Sequence, residues 1–198
     1  MPRDMTLYRD FIEQGLAAIR ALHVGDAMTH MEGFIDSNGK TWFTDATLRP
    51  AGARIAPMLA HAYDIDPYRV WTRVAVDGCF DGPWKRKYSA GTIFLRGTGA
   101  GTVKHVHGIE RVEQGFKDLL VDVRWPRIGA NKSATYTGDG FVTVRHPHTE
   151  TVQDALRRIG ELVKITYSSD DSQLLSTTWE HRLQNFHELN RPAWDQAN

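Results

Sequence analysis

"THMEGFIDSNGKTWFTDATLRPAG", residues 29–52, is the stretch whose reading decides the rest of the chain. Two strand-like runs, 29–36 and 41–48, flank Ser37-Asn38-Gly39-Lys40. Asn-Gly between such runs is a strong hairpin signal, because a type I′ turn needs positive φ at both central positions. A two-residue loop at Asn38-Gly39 would set Ser37 against Lys40, so that the residue numbers of every cross-strand pair sum to 77. Glu32 then stands directly opposite Asp45, with Cβ atoms about 4.5–5.5 Å apart. His30 faces Thr47 on the same side, since strand side chains alternate. Met31, Ile35, Trp42, Ala46 and Leu48 occupy the other face, which is the expected core side.

Two like charges opposed on a sheet are destabilising, so something should offset them. A divalent cation would do so, and Mg²⁺ favours one or two carboxylates together with phosphate oxygens and retained water. The alternatives are a solvated face, or one acid paired with a nearby arginine. Arg49-Pro50-Ala51-Gly52-Ala53-Arg54 leaves the second run and enters a helix expected to begin near Ala53. A helix N-terminus suits an anion, and Arg49 and Arg54 add two forked cationic donors. Carboxylates, a metal, arginines and a helix start make a reasonable polyphosphate site. Arg49 bridging Glu32 or Asp45 is the structural alternative.

Outward from this stretch the chain has the size and balance of a globular protein. Its 198 residues suffice for one large domain or two small ones. Lys+Arg and Asp+Glu are equal at 24 each, so no basic field points to nucleic acid or to an anionic membrane. No apolar run approaches the ~18 residues of a membrane span, and the start, MPRDMTLYRDF, is not signal-like. Cys79 is the single cysteine, which excludes an internal disulfide framework and a Cys-based zinc cage. A cytoplasmic location is expected.

Before the hairpin, residues 4–22 have helical periodicity through Leu7, Phe11, Ile12, Leu16, Ile19 and Leu22, with Asp4 as N-cap and an end at His23 to Gly25. After it, Ile55, Met58, Leu59, Ala62 and Tyr63 predict a helix, and Pro67 restarts one through Val70, Trp71 and Val74. Asp77 to Lys87, with two glycines and a proline, is the candidate linker. Strand-like runs follow at 90–96, 102–107, 119–125 and 140–145, then a helix over 150–163 and a strand from Val163 to Tyr167. The expected division is therefore 1–80, 88–168 and a polar tail, 169–198, in which Trp179 to Leu189 could form a docked helix with Trp179, Phe186 and Trp194 as its aromatics.

"THMEGF" and "DATLRPAGARI" resemble the metal-binding signature of the ATP-grasp superfamily, whose carboxylate–amine ligases include biotin carboxylase and carbamoyl-phosphate synthase. "AHAYDIDPYRVWTRVAVDG" and "GFVTVRHPHTETVQDALRRIGELVKI" are similar to the helical stretch and the small C-terminal module that follow that signature. The resemblance implies an α+β fold: the C-terminal part of an ATP-grasp fold, with a metal-binding β-hairpin and helices, then a small α+β module with antiparallel strands. It implies ATP and Mg²⁺ (or Mn²⁺) as cofactors, with Glu32, Asp45 and Thr47 on the metal, and Glu32, Asp45 and Arg49 on the nucleotide. Arg49 and Arg54 are implied as the catalytic pair. Asp45 is one methylene shorter than the usual glutamate, and Thr47 offers one oxygen where asparagine is usual.

The resemblance covers only the C-terminal half of such a ligase, because about 31 residues precede Glu32 and these predict one helix. Two functions from different classes follow. One is a ligase component that activates a small carboxylate as an acyl phosphate and couples it to an amine, with a second protein chain supplying the missing half. The other is a non-catalytic accessory or binding module derived from such a ligase. A homo-oligomer is left open, and no nucleic-acid or membrane partner is expected. Elsewhere, His105 with His107 and His146 with His148 are read as surface histidines rather than metal ligands. "GTGAG", residues 97–101, is read as a hairpin turn rather than a phosphate loop, and Cys79 as a half-buried thiol.

Overall fold

The computed structural model describes residues 3–169, so the predicted docked helix at 179–189 lies outside the described residues. The N-terminal periodicity produces a 3₁₀ turn, Thr6–Tyr8, and helix α1, Arg9–Ala21. Asp4 is the N-cap of neither, since Met5 and Tyr8 hold those positions; its carboxylate accepts from the Thr6 amide at 2.9 Å and the Thr6 hydroxyl at 2.7 Å. Strands β1, His30–Ile35, and β2, Thr41–Thr47, form an antiparallel hairpin on α1. Phe43 packs on Phe11 with ring centroids 5.0 Å apart, and Gly15 of α1 admits that ring.

Helix α2, Ile55–Tyr63, and α3, Pro67–Thr72, come next, and α3 runs into a π-helical turn, Arg73–Asp77. Pro67 restarts a helix as expected, and Asp66 caps it, accepting from the amides of Tyr68 and Arg69 at 3.0 and 3.1 Å. Residues 78–88 form neither helix nor strand.

The second half contains β3, Ser89–Leu95, β4, Ala100–His107, β5, Leu120–Arg124, β6, Gly140–His146, and β7, Lys164–Ser169. These make an antiparallel sheet of order β3-β6-β5 and a separate antiparallel pair, β4-β7. Helix α5, Thr149–Leu162, packs across β3 and β6, with Val152, Ala155 and Ile159 inward. Gly91 on β3 lets it come close, because Leu156 fills the space a Cβ would take. A helix that the sequence pattern missed, α4, Ile109–Gly115, follows Gly108, whose φ is 87°. With Ile109, Val112 and Phe116 as its only apolar markers, two turns are too short for a periodic signal.

Residues 96–99 join β3 to β4, which lie in different sheets, so 97–101 do not form the predicted hairpin turn. Cys79 is exposed rather than half-buried. The core is unevenly distributed. Among the described residues, the buried apolar side chains before residue 88 are Ala56, Ala62 and Pro67, whereas Tyr8, Ile12, Leu16, Phe34, Trp42 and Leu48 are exposed. No helix among the described residues is long and apolar enough to cross a membrane.

Candidate active site

The hairpin reaches the predicted acid pairing by an unpredicted route. The turn is a three-residue loop, closed by the Asp36 amide on the Lys40 carbonyl at 2.9 Å, with Gly39 alone at positive φ, 79°. Near the turn the pairs are Ile35 with Thr41, Phe34 with Trp42 and Gly33 with Phe43, whose residue numbers sum to 76. A β-bulge at Glu32/Gly33 then shifts the register by one. Beyond it Glu32 faces Asp45, Met31 faces Ala46 and His30 faces Thr47, as predicted.

The shift also corrects the core face near the turn. Phe43, not Trp42, turns toward α1. Trp42 is exposed and its indole N–H donates to the Asp36 carboxylate at 2.9 Å. That bond holds the Asp36 carboxyl below its usual pKa, helped by the Lys40 amide.

On the acidic face, His30 Nε2 lies 2.9 Å from Glu32 Oε1, with the imidazole 13% and the carboxylate 61% exposed. Asp45 is exposed and has no hydrogen-bond or ion-pair partner among the described residues. The Thr47 hydroxyl donates to the His30 carbonyl at 3.4 Å, which leaves its oxygen lone pairs free to accept or ligate. The like-charge opposition is thus eased at Glu32 by a histidine, not by an arginine. Arg49 bridges neither acid: its guanidinium donates to the Pro50 carbonyl at 2.9 Å.

Arg54 is placed differently from expectation. Its guanidinium donates to Asp122 on β5 and stacks 3.6 Å from the centroid of Phe141 on β6. The charge expected beside the acids is therefore committed to the second sheet. The helix start is also a poorer anion site than its sequence implied. Ala53 and Arg54 adopt positive φ, 48° and 60°, so α2 begins at Ile55. The Ile55 amide is used on the Gly52 carbonyl at 2.9 Å, and Pro57 has no N–H.

Sequence reasoning missed two partners. His30 was on the correct face two residues from Glu32, so strand alternation was the available signal. Asp122, which is 68 residues from Arg54, left none. Of the other histidines, His105 and His107 are exposed with ring centroids 5.9 Å apart, and His146 and His148 are 5.3 Å apart. No group of three or more His, Cys, Asp or Glu side chains among the described residues could by itself hold a metal. An apolar cavity of about 370 Å³ between α2, α3 and the Phe80–Trp84 pair contains none of the hairpin's polar residues.

The donor set is therefore two opposed carboxylates and one hydroxyl on an exposed face. It does not make a closed cage, but it suits a hard cation that keeps water and takes phosphate oxygens.

No family model and no curated protein sequence matches the chain. Solved structures do. L-amino acid ligase from Bacillus licheniformis superposes with a TM-score of 0.66 at 20% identity, over 80% of this chain and 42% of the ligase. N5-carboxyaminoimidazole ribonucleotide synthetase from Thermotoga maritima gives 0.60 at 16%, over 83% and 44%. The biotin carboxylase domain of Hydrogenobacter thermophilus 2-oxoglutarate carboxylase, solved with MgADP and bicarbonate, gives 0.55 at 13%, over 83% and 37%. The fold is part of an ATP-grasp ligase fold. The chain spans less than half the length of the ligases it matches.

Proposed function

We propose that this chain is a component of an ATP- and Mg²⁺-dependent ligase that activates a carboxylate as an acyl phosphate and couples it to an amine. The observation that carries the proposal is the exposed Glu32–Asp45 opposition on a hairpin of an ATP-grasp ligase fold. Glu32, Asp45 and Thr47 would hold Mg²⁺, or Mn²⁺ in its place, on the nucleotide phosphates. When bound, the ion screens phosphate charge and polarises the transferring phosphoryl group. His30 fixes the Glu32 carboxylate through the 2.9 Å contact. Arg49, whose guanidinium meets no carboxylate among the described residues, would hold a phosphoryl or acyl-phosphate oxygen. Arg54 anchors the Arg-Pro turn to β5 through Asp122.

Closing the nucleotide site calls for further protein, either on a second chain or on a longer form of this one. The exposed apolar side chains of α1 and the hairpin support that need. A second reading, a non-catalytic accessory module, is favoured by the shorter Asp45 and by Thr47 standing where asparagine is usual.

Mn²⁺-ATP titration of the chain, followed by paramagnetic broadening of amide resonances, tests the assignment. We expect broadening centred on Glu32, Asp45 and Thr47 that Glu32→Gln and Asp45→Asn each remove. Absence of broadening at millimolar Mn²⁺-ATP would exclude nucleotide binding by this chain alone, and activity that survives Glu32→Ala in the completed ligase would overturn the metal assignment.

A further inference from the structure

Helix α1 does not cover the whole inner side of the hairpin. An apolar groove of about 210 Å³ lies between the C-terminal end of α1 and the base of the hairpin, walled by Ile19, Leu22, Val24, Met31, Ala46 and Leu48. Leu22 is 65% and Leu48 58% exposed, so the groove is open to solvent along its rim. At the other end of the hairpin, Tyr8, Phe34 and Ile35 form a separate exposed patch.

Beyond Ser169 the sequence carries a matching apolar stripe. Leu175, Trp179, Leu183 and Phe186 recur at spacings of four, four and three, the spacing of one helix face. Glu180, His181, Gln184 and Glu188 fall on the opposite face of the same helical wheel. So short a helix is marginal in water alone, and an apolar surface that receives the stripe is what would stabilise it.

The course of the described chain points this stripe toward the groove. Strand β7 ends at Ser169, paired with Ala100. The Ser168 hydroxyl accepts from the Thr102 amide at 3.0 Å, and the Lys132 amide donates to the Gly101 carbonyl at 2.8 Å. Lys132 leads into Tyr136, whose hydroxyl lies 3.7 Å from where a Cβ on Gly52 would stand. Gly52 follows Leu48 by four residues. Strand β7 therefore ends on the side of the molecule that holds the Arg-Pro turn and the base of the hairpin. The larger apolar cavity, at Tyr63 and Trp84, lies at the other end of α2, where Asp64 meets Arg145 at 2.8 Å. Residues 170–178 give the chain a reach of about 30 Å from Ser169.

We propose that residues 175–189 of this chain form an amphipathic helix seated in the groove, with Trp179 and Leu183 against Leu22, Met31 and Leu48. The contact covers the base of the hairpin and leaves the patch at Tyr8 and Phe34 for further protein. It also braces the strand end at Thr47 and Leu48, next to Arg49. The contact is made within this chain, so it stands or falls apart from the ligase reading.

The experiment is nuclear magnetic resonance on the full chain with methyl and amide labels. Nuclear Overhauser effects should join the Trp179 and Phe186 rings to methyl groups of Leu22, Met31 and Leu48. Amides 180–189 should exchange at least ~10-fold more slowly than in a free peptide. Leu48→Asp in the groove and Trp179→Asp in the stripe should each abolish these effects and speed that exchange by ~10-fold or more. Phe34→Asp, at the hairpin tip, should change neither. The Overhauser effects are read on the native chain, so the test does not depend on the variants folding. Effects from these rings to Phe34 and Ile35, or to Val70 and Val74, would place the stripe elsewhere and overturn the inference. Effects seen only between differently labelled chains would make the occupant a second copy and overturn it equally. So would the absence of any such effect.

Discussion

Gly33→Ala tests the bulge that brings the acids together. Gly33 is the first residue of the shifted register, directly after Glu32. A Cβ there would overlap the backbone carbonyl oxygen of Trp42 and lie 3.1 and 3.2 Å from two Phe11 ring carbons. A comfortable carbon–oxygen contact is about 3.3 Å or more, so the strands must part by about 1 Å or the bulge must move. The obstacle is backbone, not a flexible side-chain end, and overpacking of this kind costs about 1–3 kcal/mol. Gly25→Ala is the control, since nothing lies within 4 Å of its Cβ position, and it should stay within ~0.5 kcal/mol of the parent. Urea unfolding measures both. Cross-strand nuclear Overhauser effects report whether Glu32 still faces Asp45. A one-residue slip would carry Glu32 to the opposite face, so the Mn²⁺-ATP broadening should fall with the register. If Gly33→Ala unfolds within ~0.5 kcal/mol of the parent and keeps the Glu32–Asp45 pairing, the bulge is not what positions the site.

Ile159→Ala should cost about 2–5 kcal/mol by urea unfolding, because the side chain is 0% exposed between α5 and the sheet. Arg157→Ala on the same helix should cost under ~1 kcal/mol, since its contacts to Asp154 and Glu161 are solvent-exposed. Burial pushes the His61 imidazole below its ordinary pKa of 6.5, with Arg145 and Arg54 adding to the effect and Asp122 and Asp64 opposing it. The unfolded chain therefore binds the proton more readily. Stability from His61 is present above pH 6.5 and is lost as pH falls from there through its lower folded pKa. Thermal unfolding between pH 7 and 5 should show this slope, and His61→Gln should flatten it.

What the sequence made legible, and what it hid, divides by range. Local signals held: Pro67 restarted a helix, and the strand-like runs of the second half became β3 to β7 within a residue or two. These rest on caps and alternation, which act over a few residues. Pairings across the chain were hidden, because nothing local to Arg54 or Asp122 advertises the other. The hairpin lies between these cases. Asn-Gly named the turn, but several loop types accept Gly39 at positive φ, and the one formed displaces the register by one. The bulge displaces it back, so Glu32 and Asp45 meet although the predicted turn does not form. Two offsets cancel beyond the bulge and leave a trace before it, where Phe43 rather than Trp42 enters the core. A three-residue loop closes with its own αL residue at the turn, here Gly39, and does not call for a second irregularity further along the strands. One placed directly after Glu32 costs ladder bonding, and its effect is to set two carboxylates opposite each other. Part of that cost is offset by packing, since the extra residue, Thr44, keeps Phe43 and Ala46 both on the α1 side. The carboxylate opposition on the outer face is what a cation on phosphate oxygens would balance.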